Sequence, residues 1–536
     1  MDEPATDELA TLTTERHPAA AGVLAALVAL GAAEIVARLL ASGASPVLAV
    51  GQEVIDRVPP AVEDAAIAAF GTADKLVLLI GILAVSLAIG AALGLAAARR
   101  FGVAVGGFVV FAVIGVAAVA ARPGGAPLVA AVAVAVGAAT GLGLLRRLLA
   151  APTASTTVDT GPPPVGDTDL GPRPASPTDA AQTDRRGFLR LAVTVAGVAG
   201  AAGLAGRGAA RWFSRGSDPA GVVLAPASAP LGVPGAAASL DVGGLSPLFT
   251  PNDTFYRIDT ALTVPRVDLE TWRLGVTGMV DRPFELSFDD LLALPQVESD
   301  ITLACVSNVV GGDLVGNARW RGVRLADLLE RAGVQAGATQ IVGRSVDGWT
   351  GGFPTEVALD GREPLVAVAM NGEPLPRDHG FPARLVVPGL FGYVSATKWL
   401  SEIELTTMEA FDGYWVPRGW SKLAPVNTQA RIDVPRFGAR TPAGRQPVAG
   451  VAWAPTRGIS GVEVSIDDGP WQKATLSEPL NEDTWRQWLY EWDAQPGRHE
   501  IRTRATDGTG ETQTAEEVAP RPDGATGYHT IAVTVA

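Results

Sequence analysis

The sequence predicts a multi-domain chain: an N-terminal all-α transmembrane bundle, then an α+β domain, then a C-terminal β-sandwich. Three observations predict it. Residues 1–150 are almost all Ala, Val, Leu, Ile and Gly, whereas residues 248–536 carry the Trp, Asp, Arg and Pro of a soluble protein. Helical and strand-like periodicities mix over residues 248–439, and the helical pattern vanishes from 440 onward. At 536 residues the chain exceeds one compact domain. Its net charge of −14, without a basic stripe, excludes nucleic acid as a partner. Its one cysteine, Cys305, allows no intrachain disulfide and no iron–sulfur cluster or c-type haem site.

The transmembrane bundle rests on four apolar runs, at residues 20–40, 76–98, 102–121 and 127–145, each near the roughly 20 residues that cross a bilayer. Arg99 and Arg100 separate the second and third runs, and Arg146 and Arg147 follow the fourth. The loop between the first two runs carries Glu53, Asp56, Glu63, Asp64 and Asp74 against Arg57 and Lys75. Basic residues mark the inner side, so the N-terminus is cytoplasmic and the acidic loop outside: a multi-pass protein of the cytoplasmic membrane. Glu34 and Arg38 lie on one helix face, either a self-paired couple or a functional polar handle. The only histidine near the spans is His17, ahead of the first, so the paired ligands of a b-type haem are missing.

Residues 151–184, rich in Pro, Thr, Asp, Ala and Gly, read as a disordered linker. Arg185-Arg186-Gly187-Phe188-Leu189 then opens a Gly/Ala-rich apolar stretch, so residues 185–210 read as a twin-arginine export signal or a fifth transmembrane helix. Either places the remainder on the extracytoplasmic side, and small residues near Ala209-Ala210 leave cleavage open. Residues 211–247 read as a second linker.

Strand-like runs follow at residues 272–276, 340–342, 365–370, 384–387 and 399–405, with amphipathic helices at 288–294 and 325–332. Asp289 and Asp290 occupy the first turn of the former helix. In residues 440–536 the runs at 448–453, 462–467, 488–492, 499–505 and 530–535 have the spacing of an immunoglobulin-like sandwich.

Five motifs stand in order along this region. They are Thr250-Pro251-Asn252-Asp253-Thr254-Phe255-Tyr256-Arg257, Thr302-Leu303-Ala304-Cys305-Val306-Ser307-Asn308, the stretch from Ala318 to Leu325, the stretch from Met370 to Pro382, and Val387-Pro388-Gly389 with Lys398-Trp399-Leu400. Together they resemble the sulfite oxidase family of molybdopterin enzymes, over about residues 248–536. The resemblance implies a Mo-molybdopterin cofactor bound by residues 248–439, with Cys305 as the thiolate ligand of the metal. It implies that His379, Arg384 and Lys398 hold the pterin phosphate, with Phe255, Tyr256, Asp347 and Thr397 as further cofactor contacts. Arg257, and Arg486 from the second domain, are implied to face the substrate oxyanion.

Departures from the family pattern are equally legible. Cys305 is followed by Val306, Ser307, Asn308, Val309 and Val310, without the family's arginine pair. Ile258-Asp259 replaces Asn-His, Trp420 stands for a tyrosine beside the metal, and 392–397 lacks an arginine before Lys398. Each lost cation removes charge-assisted hydrogen bonds of about 1.5–3 kcal/mol, which puts a sulfoxide on a level with a sulfite-like anion. The expected function is oxygen-atom transfer to or from a small substrate, the alternative a cofactor-retaining but silent envelope scaffold. Expected partners are the substrate, the membrane, a twin-arginine translocase and a separate cytochrome- or quinone-linked electron carrier. The C-terminal domain allows a homodimer.

Overall fold

The computed structural model describes residues 17–40, 45–59, 62, 65, 69, 70, 74–122, 125–150 and 216–536. The first linker and the paired-arginine segment lie outside the described residues. The chain divides between residues 214 and 215 into two compact units.

The first unit contains helices α1 (Pro18–Leu40), α2 (Pro46–Arg57), α3 (Asp74–Ala97), α4 (Phe101–Ala120) and α5 (Pro127–Ala150). Among the described residues, all but α2 are long and apolar enough to cross a membrane. They pack through small residues: a methyl group added at Gly22 would fall 2.1 Å from Gly90 O, so only glycine lets α1 approach α3 this closely. The large side chains point outward instead, Leu76, Val85 and Val113 among them.

Helix α2 sits where the sequence reading has only an acidic loop. Ser45 caps it by accepting from Leu48 N (3.2 Å), and Pro46 opens it. Glu34 accepts from Ser45 Oγ (2.8 Å) and Val47 N (3.2 Å), while Arg38 Nε stands 3.6 Å from its carboxylate. The Glu34–Arg38 couple therefore pins the start of α2 to α1.

The second unit opens with two sheets. One has strand order β2-β1-β10-β5-β6, made of β1 (Leu274–Gly278), β2 (Phe284–Leu286), β5 (Gln340–Ser345), β6 (Thr350–Pro354) and β10 (Leu400–Thr406). The other has order β3-β4-β7-β8, made of β3 (Val297–Ala304), β4 (Val315–Arg324), β7 (Leu365–Met370) and β8 (Glu373–Pro374), with β9 (Arg384–Val386) also paired to β7. Helix α6 (Phe288–Ala293) starts at a Ser287/Asp290 capping box, and α7 (Leu325–Ala332) stops at Gly333, whose φ of 70° a side chain would resist. Strands β3 and β4 escape the sequence reading because both faces of β3 are buried, so polar and apolar residues do not alternate. Its polar members are satisfied inside: Asp300 accepts from Arg319 Nε (2.7 Å), and Thr302 Oγ1 accepts from Trp485 N (2.8 Å).

The sandwich begins earlier than residue 440. Strand β11 (Gln429–Val434) pairs with β13 (Gly444–Trp453), which continues to β17 (Arg486–Ala494) and β16 (Thr475–Leu476). The second sheet runs β12 (Arg440–Thr441), β19 (His529–Val535), β18 (Gly497–Asp507), β14 (Ile459–Ile466) and β15 (Gln472–Lys473). Both sheets supply one core, including Ile432, Trp488, Val464 and Ile531.

Residues 211–247 read as a tether, yet from 216 the chain is fastened to this unit. Ser217 N donates to Val267 O (3.0 Å), Arg319 Nη1 to Gly232 O (2.9 Å) and Leu240 N to Gln487 Oε1 (2.6 Å). A Pro/Gly-rich segment shows no periodicity, but its backbone groups still require partners, and these lie tens to hundreds of residues away in sequence.

Candidate metal and cofactor site

Cys305 ends β3 at a tight turn. Its N–H donates to Leu314 O (2.9 Å), Asn308 N donates to Cys305 O (3.1 Å), and Asn308 Oδ1 accepts from Leu314 N (3.0 Å). Its Sγ lies 2.9 Å from Ser307 Oγ. The side chain is buried, and burial pushes the thiol's pKa up, so the uncoordinated sulfur is a neutral thiol.

Phe255 and Tyr256 pack on the core of the sheet that carries β3, β4 and β7. Phe255 stacks on Tyr256 (centroids 5.2 Å apart) and meets Trp320 and His379 edge-on at 5.8 and 5.6 Å. Gly316 makes room, since a methyl there would fall 2.6 Å from the Phe255 ring. Burial and the nearby Cys305 sulfur raise the Tyr256 pKa, so its hydroxyl stays protonated.

Beside this stack stand the cations. Arg384 is buried, its guanidinium 4.9 Å from the Trp320 ring centre, and its Nη1 donates to His379 O (3.2 Å). No carboxylate pairs with it among the described residues, and burial alone brings its pKa to about 10. Lys398 Nζ donates to Asp259 Oδ2 (2.7 Å) and Asp378 O (3.1 Å); burial brings it to about 8 despite the Asp259 charge. Arg257 Nε donates to the same Asp259 oxygen (3.0 Å), with its Nη1 3.5 Å from Asp378. His379 Nε2 lies 2.8 Å from Asn252 O and so carries the proton; burial, and then Arg384, lower the ring's pKa to about 4. It joins the cluster as a neutral ring, not as a cation. Thr397 Oγ1 is buried without a hydrogen-bond partner.

Three further residues named from the sequence have surroundings of their own. Asp347 accepts from Trp349 N (3.0 Å) in the β5–β6 turn. Arg486 gives its Nε to Ser477 O (3.0 Å) and its Nη1 to Ile459 O (2.8 Å), inside the sandwich. Trp420 packs against Tyr393 (5.8 Å) and under Arg521 (5.2 Å). Asp259, which clamps Arg257 and Lys398, enters the sequence reading only as a departure from a motif and carries no local signal of its role.

A guanidinium and a hydroxyl, both buried without a carboxylate or hydrogen-bond partner of their own among the described residues, stand with a lysine near the thiol, a donor set that suits an anion and a soft metal. That donor set fits a phosphorylated, metal-bearing cofactor. A family model described as "Oxidoreductase molybdopterin binding domain" matches residues 261–415. Sulfite oxidase of Arabidopsis thaliana is 30% identical over 306 residues, covering 46% of this chain and 77% of that protein. The Bacillus subtilis oxidoreductase YuiH is 40% identical over 153 residues, 28% of this chain and 74% of that one. Human mitochondrial sulfite oxidase is 32% identical over 299 residues, but this chain spans only 54% of its length. The chain belongs to the sulfite oxidase family of molybdopterin-dependent oxidoreductases, and its cofactor is Mo-molybdopterin.

Proposed function

We propose that the second unit transfers an oxygen atom to or from a small substrate. The observation that carries this reading is Cys305, the chain's sole thiol, at a buried turn beside an anion pocket whose Arg384 lacks a counter-ion. When bound, the cofactor supplies the two-electron redox chemistry at molybdenum. Cys305 would hold the metal, giving up its proton on coordination. Arg384, Lys398 and Thr397 would hold the phosphate, and the neutral His379 would offer Nδ1 as an acceptor. The Phe255–Tyr256 stack excludes water and orients the tyrosine hydroxyl. Arg257, 39% exposed, would meet a substrate oxygen from the solvent side. Asp347 is read as a further cofactor contact, while Arg486 would have to leave its carbonyl partners to take part.

In this reading the four apolar helices anchor the protein in the cytoplasmic membrane. The Arg185-Arg186 segment directs the second unit to the extracytoplasmic side through a twin-arginine translocase, and a separate cytochrome- or quinone-linked carrier supplies or removes electrons. The sandwich is read as immunoglobulin-like and as the surface for a homodimer. The test is to purify the full chain, measure molybdenum, record metal–sulfur absorption, and screen sulfite, sulfoxides, nitrate and chlorate with redox dyes. Turnover with molybdenum bound supports the proposal. Bound molybdenum without any turnover would leave a silent binding protein, and absent molybdenum would overturn the assignment. Replacing Arg185 and Arg186 by lysine should remove the second unit from protease accessibility in spheroplasts; unchanged accessibility would overturn the export route.

A further inference from the structure

One carboxylate oxygen serves two cations in the cofactor cluster. Asp259 Oδ2 accepts from Lys398 Nζ (2.7 Å) and from Arg257 Nε (3.0 Å), and the aspartate side chain is only 4% exposed. Lys398 is enclosed as well: its Nζ lies 4.5 Å from the Trp399 ring centre and donates a second bond to Asp378 O (3.1 Å). The titratable groups facing it come from three segments. Arg257 and Asp259 follow Tyr256, Asp378 and the neutral His379 belong to the turn at 377–379, and Arg384 stands on β9. The Asp378 carboxylate is turned to Arg257 (3.5 Å), so Asp259 is the carboxylate within ion-pair distance of Lys398 among the described residues.

Opposing influences meet at this ammonium. Burial strips it of water, and Arg384 and Arg257 repel it; against them stand the charge and the hydrogen bond of Asp259. The balance leaves Lys398 losing its proton at about 8 rather than at its ordinary 10.5. Without the Asp259 charge, burial and the two guanidiniums act unopposed by any carboxylate in contact, and the proton leaves at lower pH. A neutral amine no longer offers a phosphate a charge-assisted hydrogen bond. Asp259 thus has two effects on a bound anion, and they differ in sign. Its own charge repels the anion, while its hold on Lys398 preserves the cation that binds it.

We infer that Asp259 is a positioning residue of the cofactor pocket, an internal counter-ion that keeps Lys398 charged and aligned with Arg257 so that a phosphate-class oxyanion is held at neutral pH. This role rests on the reading above in which Lys398 and Arg384 hold the cofactor's phosphate.

Sulfate, whose charge is constant near neutral pH, is the probe, and its binding to the cofactor-free full-length chain is followed by calorimetry across pH. Wild-type affinity should fall about fivefold between about pH 7 and about pH 9, as Lys398 gives up its proton. Asp259→Asn should bind sulfate no more weakly than wild type at about pH 6, yet at least about threefold more weakly at about pH 8. Adding Lys398→Arg to that variant supplies a cation that does not titrate, and should restore the affinity at about pH 8. A merely structural contact would weaken binding at every pH, and arginine would not restore it. If thermal unfolding shows that the asparagine variant does not fold, Asp259→Ser makes the same charge change in a smaller side chain; if neither folds, the residue is structural and the counter-ion role is lost. A flat wild-type profile, no sulfate binding, a variant profile that coincides with wild type, or no restoration by arginine would also overturn it. The predicted shifts in a protein that holds molybdenum but turns over no substrate would leave the counter-ion role standing and sink the oxygen-transfer reading.

Discussion

Two regions of the second unit hold an arginine among polar partners, and they do so for opposite ends. At the junction between domains, Arg457 Nε donates to Asp507 Oδ2 (2.9 Å), and its Nη2 to Val426 O and Thr428 Oγ1. Asp507 also accepts from Thr509 Oγ1 (2.6 Å) and Glu511 N (3.1 Å), and these bonds hold its pKa at about 2 despite its burial. Arg384, more deeply enclosed, donates to carbonyls and has no acid partner among the described residues. The junction completes its own charges and contributes stability. The Arg384 site is left without a countercharge from the described residues, and an anionic ligand would complete it.

The largest effect tests the pocket itself. Cys305→Ser should abolish dye-linked turnover and remove metal–sulfur absorption, while tryptophan fluorescence still reports a folded second unit. Wild-type turnover in that variant would sink the metal assignment.

A paired substitution then tests the contrast. Arg457→Leu strands the Asp507 carboxylate, and should lower unfolding stability by about 3 kcal/mol. Arg384→Leu removes a buried, uncompensated charge. The cofactor-free protein should then unfold at the same midpoint as wild type or a higher one, yet fail to retain molybdenum. Comparable destabilisation by both substitutions would erase the distinction.

Acid sharpens it further. Burial, then Arg431, give His529 a folded pKa of about 4, below its ordinary 6.5, so the unfolded chain takes up the proton first. Its contribution is complete above pH 6.5 and is lost as pH falls towards 4, up to about 3 kcal/mol. His529→Asn, which can still accept from Ile432 N, should flatten the stability profile in that window. For Asp507 the depressed value places the loss lower, between its ordinary value of 3.8 and about 2. An unchanged slope between pH 6.5 and 4 in the asparagine variant would exclude His529 as its source.

The smallest effect is a control. Arg445 and Glu491 form an ion pair on the sandwich surface at 2.8 Å, with the arginine side chain 78% exposed. Solvent screens such pairs, so Arg445→Ala should leave the unfolding midpoint unchanged. A measurable loss would mean that exposure is a poor guide to which charges matter here.

Much of the architecture was legible because its signals are local. Four apolar runs appear as four long helices, shifted by a few residues, and the leucine spacing at 325–332 is α7. The motifs around Phe255, Cys305, His379 and Lys398 were legible as an ordered set, and the structure brings Phe255, Tyr256, Arg257, His379, Arg384, Thr397 and Lys398 together around β9 and the end of β3. Less visible were β3 and β4, hidden by burial on both faces, and α2, whose Gln52, Glu53 and Asp56 read as loop.

The sequence by itself determined where apolar length suffices for a membrane, that a single thiol is available, and that the arginines after Cys305 are missing. Each is a property of composition or of neighbours along the chain. Only the tertiary structure decided which charges are paired. Asp259 joins Arg257 and Lys398 across 139 residues in the latter case, Arg384 is left without an acid, and Arg486 is turned toward carbonyls of the sandwich. Charge pairing and desolvation depend on distances of a few ångströms between side chains remote in sequence, which no local pattern specifies.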